Sequence, residues 1–193
     1  INNKKYKMPL IKRTNVLEKK QINEYKKQQQ RYLLTSRFNN NTYRENEKYR
    51  ERNREKKIGC IYCSPDPISQ TIPLESIMYV LEMNNDLNKI LGVGMVRNKP
   101  VSNRHSVYDN GNYNRYVYIG NNRISRDEMS EEEELIMQVF DILCFTGNKH
   151  MKRGQGLKSF PIEMLYRCKQ RLDIVDFIGK MFKKRLLAKT NSK

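Results

Sequence analysis

The chain has 193 residues, and its 38 Lys and Arg against 21 Asp and Glu give a formal net charge of +17. This length suits one domain of ordinary size plus an appendage, and the lack of any run of about 18 apolar residues excludes a transmembrane helix. A charge of this sign attracts polyanions, most commonly nucleic acid and next an anionic membrane. An AT-rich genome, however, raises Lys content without a functional cause.

The charge is concentrated in the N-terminal part. Residues 1–57 carry 18 Lys and Arg against 6 Asp and Glu, whereas residues 58–193 carry 20 against 15. We therefore predict a basic helical arm over 1–57 and a compact α+β domain over 58–193. A solvated appendage that binds acidic protein surfaces, or nothing specific, would explain the same distribution.

The arm is predicted to contain two helices. The first runs from Thr14 or Asn15 to about Leu34 and has a sparse apolar stripe. The second runs from Thr42 to about Lys57 and has almost no apolar face, so we expect it to project into solvent or lie on a partner. Its candidate phosphate contacts are Arg50, Arg52 and Arg54.

The next region predicts a domain boundary followed by a β-hairpin. Residues 58–73 are rich in proline, which opposes regular helix. The apolar runs 77–83 and 90–96 then flank an Asn/Asp-rich turn, as in a hairpin. Because the runs are almost continuously hydrophobic, both faces should be covered and the hairpin should lie centrally in a sheet.

A loop and a second pair of strands are predicted after the hairpin. Residues 98–114 lack periodicity, residues 116–119 alternate aromatic with β-branched side chains, and a turn leads into a short partner strand at 123–124. Tyrosines and arginines here predict a rim that stacks an unpaired base and holds its backbone; sheet packing plus surface charge is the alternative. The rim residues are Arg104, Tyr113, Arg115, Tyr116, Tyr118 and Arg123.

The C-terminal part is predicted to be mostly helical. Ser130 and Glu133 form a capping box at the start of a deeply buried helix, and we interpret its acidic run as helix initiation rather than as a metal site. Two further helices are predicted to begin near Pro161 and Asp173.

A basic, glycine-containing loop is predicted over residues 148–159. Glycines let backbone N–H groups converge, and the helix N-terminus expected to follow adds partial positive charge. The loop lacks the spacing of a Walker A motif, and a tight connector with solvated charges is the alternative to a phosphate contact. The candidate residues are Lys152, Arg153, Gly154, Gly156 and Lys158.

Metal binding and catalysis have little support in the sequence. Cys60 and Cys63 have the spacing of half a zinc ribbon, but no second closely spaced pair exists, so we expect buried thiols and no cofactor. No paired carboxylates and no nucleophile with an oriented base are recognisable. We therefore expect a protein that is not an enzyme.

The order of elements over about residues 73–161 carries a resemblance. A buried strand pair ending in GVGMV at 92–96, a tyrosine-rich strand, a helix and the RGQGL loop at 153–157 resemble small β-rich proteins of AT-rich large DNA viruses. More distantly, the segment is similar to the PUA-like class, which includes EVE, YTH and ASCH domains. That resemblance implies a small, mostly antiparallel sheet or barrel with packed helices, and RNA or modified bases as ligands.

Three functions are compatible with these features. The first is a non-enzymatic protein that binds RNA or single-stranded DNA through the arm, the glycine loop and the rim. The second is a virion structural or scaffold component whose arm binds neighbouring subunits or packaged genome, and the third is a base-modification enzyme. We expect an intracellular, non-secreted protein without membrane insertion, located for a virus in the host cytoplasm or the virion.

Overall fold

The computed structural model describes residues 16–148 and 150–191, which form a five-stranded sheet, a two-stranded ribbon and five α-helices. The helices are α1 (Val16–Lys27), α2 (Asn40–Arg52), α3 (Glu131–Phe145), α4 (Ile162–Lys169) and α5 (Ile174–Asn191). The strands are β1 (Arg31–Phe38), β2 (Cys60–Ser64), β3 (Ile77–Asn84), β4 (Lys89–Arg97), β5 (Tyr116–Gly120), β6 (Asn122–Ser125) and β7 (Leu157–Ser159).

The sheet has the order β6-β4-β3-β1-β7, and the ribbon consists of β2 and β5. Only β1 and β3 are parallel; the other pairings are antiparallel. The α+β class and the mostly antiparallel sheet are therefore confirmed. Of the two predicted forms, the open sheet is present, and these strands do not close into a barrel.

The predicted hairpin is confirmed as β3 and β4, which lie inside the sheet. The turn depends on Asn84, whose Oδ1 accepts hydrogen bonds from the backbone N–H groups of Asp86 and Leu87 at 3.0 Å. Asn88 takes a left-handed conformation with φ 51°, which Asn tolerates better than most residues. The Asn-rich segment thus fixes the register of both strands.

The prediction for the first helix is wrong at its C-terminal end. The helix ends at Lys27, and residues 31–38 instead form β1, a buried strand between β3 and β7. Leu33 and Leu34 are almost completely buried, and this non-local packing overrides a weak helical pattern. The predicted start at Thr14 or Asn15 lies outside the described residues.

Residues 31–57 therefore belong to the packed fold rather than to a solvated arm. α2 is confirmed as a helix, but its N-cap is Asn39, and Thr42 is the third helical residue of the capping box. The helix ends at Arg52 rather than near Lys57. Its buried Asn46 lies against the ribbon, where its Nδ2 donates to the carbonyl of Ile61 at 2.7 Å.

The ribbon was predicted only in part. β5 is confirmed, but its partner is β2, a fully buried strand in the segment predicted to be an irregular boundary. The strand at Arg123 and Ile124 is also confirmed, yet it pairs with β4 rather than with β5. The turn at Gly120 passes the chain from the ribbon to the sheet, so one polypeptide stretch links both units.

Two apolar cores lie on opposite faces of the sheet. One contains α3, α4 and α5 against residues such as Leu81 and Phe140, and the other contains the ribbon and residues such as Leu34 and Tyr62. α3 begins at its predicted capping box, but it is not buried all round. Its outer residues Leu135, Val139 and Ile142 are 61%, 42% and 47% exposed.

No helix within the described ranges is long and apolar enough to cross a bilayer. The longest, α5, has 18 residues and carries several lysines along its length.

Gly94 of β4 should be intolerant of a side chain, because an added Cβ would meet the hydroxyl of Tyr62 and the thiol of Cys60. We expect Gly94→Ala to lower the free energy of unfolding by about 1–3 kcal/mol, as overpacking does in cores. Gly111→Ala is the matched control, since nothing lies within 4 Å of its added Cβ. Urea denaturation measures both, and equal midpoints for the two variants would contradict the packing described.

Candidate nucleic-acid interface

A buried carboxylate connects the sheet to the ribbon and to α2. Glu82 of β3 is 1% exposed and stands where the β3–β4 register is irregular. It accepts hydrogen bonds from the Tyr62 hydroxyl at 2.8 Å and from the Arg123 guanidinium at 2.7 to 3.1 Å. Arg123 also donates to the Tyr43 hydroxyl of α2 at 2.9 Å. Four elements are thereby joined at one charged centre.

Arg123 and Tyr118 cannot be part of a surface rim. The Arg123 side chain is 11% exposed, and although burial lowers its pKa, the Glu82 carboxylate outweighs burial and raises the pKa above its ordinary value. Tyr118 is 1% exposed, and its hydroxyl accepts a hydrogen bond from the backbone N–H of Ile68. The prediction that these two residues contact a ligand at the surface is wrong, because both side chains are buried and make their hydrogen bonds inside the fold.

The loop of residues 104–109 packs against α2. Tyr49 and His105 form a hydrogen bond of 2.6 Å, and the hydroxyl of buried Tyr108 accepts from Asn46 at 3.1 Å. A groove of about 610 Å³ runs between the two segments. Its charges are mixed, and burial together with nearby Asp109 raises the pKa of Glu45, so this groove does not favour a polyanion.

The three arginines predicted to contact phosphate in and just after α2 lie in different environments. Arg50 is half-buried, and its Nε donates to Asn46 Oδ1 at 3.1 Å. Arg52 is exposed and bonds the Lys48 carbonyl of its own helix at 3.3 Å. Arg54 is exposed in the single 3₁₀ turn after the helix. Arg52 and Arg54 remain accessible to a phosphate, and Arg50 mainly supports Asn46.

The structure brings part of the rim next to the glycine loop. Tyr116 pairs with Ser64 in the ribbon, and paired residues of an antiparallel ladder point to the same side. Ser64 packs against Gly156, whose added Cβ would overlap the Ser64 hydroxyl. Tyr116 therefore lies on the side of the ribbon that faces the loop, which the sequence did not indicate.

We call this surface the basic seam. It consists of exposed Arg115 and Arg153 together with half-buried Tyr116, around the contact of Ser64 with Gly156. Lys158 is not part of it, because its neighbour Leu157 packs in the ribbon core and successive strand residues point to opposite faces. Arg115, Arg153 and Lys158 make no ion pair with any residue in the part of the chain described. Of the other rim residues, Arg104 is exposed, and Tyr113 packs edge-on against Tyr108.

The glycine loop differs from its prediction in one respect. It does not run directly into a helix, because β7 and Phe160 separate it from α4, so no helix N-terminus contributes charge to it. Gly154 and Gly156 both have positive φ, 109° and 62°, which glycine adopts without strain. The loop is anchored to the turn after β3: Asn85 donates to the Lys152 carbonyl at 3.2 Å.

Two residues of this site were missed by the sequence analysis. Arg37 of β1 lies under the glycine loop and donates from Nε to the Met151 carbonyl at 2.5 Å. Asn85 lies beside it at the end of the parallel strand β3. The signal was hidden because the first helix was predicted to run to about Leu34 and no strand was predicted over 31–38, whereas β1 and β3 run parallel and end here together.

The two cysteines of β2, Cys60 and Cys63, do not converge on one point. Both are buried free thiols in β2, and a spacing of three in a strand puts them on opposite faces. Burial raises the pKa of each thiol to about 12, which opposes the thiolate form that zinc requires. No cluster of three or more His, Cys, Asp or Glu is found among residues 16–148 and 150–191.

Comparison of the chain with protein-family models, with curated proteins and with solved structures finds no match. The resemblances to viral β-rich proteins and to the PUA-like class thus stay predictions.

Removing one partner of the buried ion pair should destabilise the fold more than removing both. We expect Arg123→Met to cost about 3–5 kcal/mol of unfolding free energy, because Glu82 is left charged without its partner. The double variant Glu82→Gln/Arg123→Met should recover part of this loss. Lys99→Met is the control, since its pair with Glu75 is exposed and should be worth less than about 1 kcal/mol.

Chemical denaturation of the four proteins gives these values. A double variant that is no more stable than Arg123→Met would show that the charge of Glu82 is not the cause of the loss.

Proposed function

We propose that this protein binds single-stranded nucleic acid, RNA or DNA, without catalysing a reaction, and that the basic seam is the contact surface. This proposal is carried by the position of Tyr116 beside the glycine loop, with Arg115 and Arg153 exposed next to it and without an ion pair in the part of the chain described. Proteins that bind single strands combine cations that follow the backbone with aromatic rings that stack on bases. The seam supplies both within one surface.

A comparison of the seam cations with other arginines of the fold supports this assignment. Arg123, Arg126 and Arg185, which are buried or partly buried, are held by carboxylates at 2.6 to 2.8 Å. Acids of α3 neutralise two of these three, so these carboxylates are occupied within the fold. The surface cations at the seam are therefore available to an external polyanion, which would release its condensed counterions on binding.

Replacing two cations of the seam should weaken binding selectively. We expect Arg115→Gln/Arg153→Gln to lower affinity for single-stranded RNA and DNA about tenfold or more near physiological salt, and to reduce the salt slope by about 1.4 for two lost phosphate contacts. The measurement is fluorescence anisotropy over a salt series, with a duplex of the same sequence for comparison.

Lys183→Gln/Lys184→Gln is the matched control, because both lysines are exposed on α5 and their loss changes net charge equally. If the two double variants lose the same affinity, binding is a delocalised effect of net charge and the seam is not the site.

A second function, assembly with a further copy of the chain, is favoured by the outer face of α3. Leu135, Val139 and Ile142 are exposed at helical spacing and form an apolar stripe. α3 carries five acids and no cation, and Glu131 and Glu132 lie exposed at its start. In a chain of net charge +17, another copy offers a basic surface that complements these exposed acids beside the stripe.

We expect the protein to self-associate through this stripe at about 100 μM, and Leu135→Ser/Val139→Ser/Ile142→Ser to shift it to monomer. Light scattering coupled to size exclusion measures the mass. Leu74→Ser/Leu87→Ser is the control, because both leucines are exposed outside α3. A monomeric wild-type protein without nucleic acid would overturn the assembly function and leave the nucleic-acid proposal intact.

A further inference from the structure

Arg37 is a partly buried cation with an unused donor. Its Nε donates to the Met151 carbonyl, while its Nη1 is buried and has no hydrogen-bond partner. Arg123, Arg126 and Arg185 have carboxylate partners, but no carboxylate within 4 Å pairs with Arg37 in the described ranges. Burial lowers the pKa of Arg37, which is the cost of holding a charge away from water without an anion.

Two further polar atoms without partners belong to residues around the same loop. Asn85 Oδ1 and His150 Nδ1 are both buried and make no hydrogen bond with any residue in 16–148 or 150–191. Asn85 is fixed by its amide, which donates to the Lys152 carbonyl, and His150 precedes Met151, whose carbonyl binds Arg37. Nearly all buried polar groups in proteins make a hydrogen bond. Three groups without a partner around one loop therefore indicate a ligand that supplies hydrogen-bond acceptors and a donor.

The loop leaves an approach to Arg37. An added Cβ at Gly154 would lie 3.9 Å from Arg37 Cζ and would have no other atom within 4 Å, so open space adjoins the guanidinium. Lys158 pairs with Thr35 in the sheet, and residues two apart in a strand share a face, so Lys158 lies on the face that carries Arg37. Lys152 is also near, with its Nζ bonded to Asn88 Oδ1 at 2.8 Å.

We propose that Arg37, Asn85, His150 and the loop of residues 150–156 bind the terminal phosphate of a nucleotide. The guanidinium and the two lysines supply charge for a phosphomonoester, which Arg recognises well. Asn85 Oδ1 accepts from a hydroxyl or base N–H of the same nucleotide, which a simple anion lacks. A phosphodiester within a strand is flanked on both sides by sugars and cannot reach a recessed guanidinium, so the terminal group is selected.

Two ligands carry such a terminal phosphate: the end of a strand and a free mononucleotide. For the strand end, this proposal rests on the proposed nucleic-acid function. The experiment therefore compares an internally labelled strand with a 5′-phosphate, a 3′-phosphate or only hydroxyl ends. We expect one phosphorylated strand to bind about tenfold more tightly than the hydroxyl strand, because only its terminal phosphate gains charge-assisted hydrogen bonds from Arg37. In parallel, AMP is tested for an increase in the melting temperature of the protein.

Arg37→Gln should abolish the preference for the phosphorylated strand. Arg37→Lys should only reduce it, because lysine keeps the positive charge but lacks the guanidinium group that binds two phosphate oxygens at once. Arg171→Gln is the control and should retain the preference, because Arg171 is exposed in the turn after α4. If Arg37→Gln fails to fold, Lys158→Gln and the response of the wild-type protein to AMP provide the test, because Lys158 is exposed.

The outcomes separate this proposal from the function on which it rests. Equal binding of all three strands, with no effect of AMP, overturns the phosphate site and leaves strand binding in place. Stabilisation by AMP without binding of any strand supports the phosphate site and overturns the nucleic-acid function.

Discussion

The fold depends on how Glu82 is accommodated inside it. A carboxylate at the centre of a sheet is costly unless it is paired and hydrogen-bonded. Arg123 from β6, Tyr62 from β2 and, through Arg123, Tyr43 from α2 meet this requirement. The arrangement also requires the glycines of β4, because side chains at Gly92 or Gly94 would occupy the space of the Arg123 guanidinium or the Tyr62 hydroxyl.

The position of the ribbon follows from this centre. The hydrogen bond from Tyr62 to Glu82 ties β2 to β3, and β5 follows β2 through their shared ladder. The end of that ladder, Ser64 opposite Tyr116, then lies against Gly156 of the glycine loop. By fixing β2, the buried Glu82–Arg123 pair thus determines where Tyr116 meets the cations of the basic seam. Substitutions at the centre should act on the seam through structure rather than through contact with a ligand.

Local patterns in the sequence predicted the parts of the fold that local chemistry determines. The β3–β4 hairpin has its own turn residues, and α3 has its own capping box at Ser130 and Glu133. β1 and β2 were missed because their burial comes from partners distant in the chain. The exposed stripe of α3 was missed for a related reason, since a nearly continuous apolar run does not show which face is covered.

The candidate site divides in the same way. Arg153, Gly154 and Gly156 were recognised because a basic glycine loop is a local pattern. Arg37 and Asn85 were not, since their proximity comes from the parallel pairing of β1 and β3. The opposite error occurred for Tyr118 and Arg123: composition marks them as surface groups, and only the long-range pairing with Ile68 and Glu82 shows them to be buried.

The position of β1 has a consequence for the order of folding. β1 lies between β3 and β7, so the sheet becomes complete only when the chain has been made as far as residue 159. During synthesis the β3–β4 hairpin can form early, while β1 waits for a neighbour on its other edge. Such non-local pairing slows folding and leaves an unpaired strand edge exposed meanwhile. Cells that make this protein must therefore keep a partly built sheet from aggregating until its last strand is added.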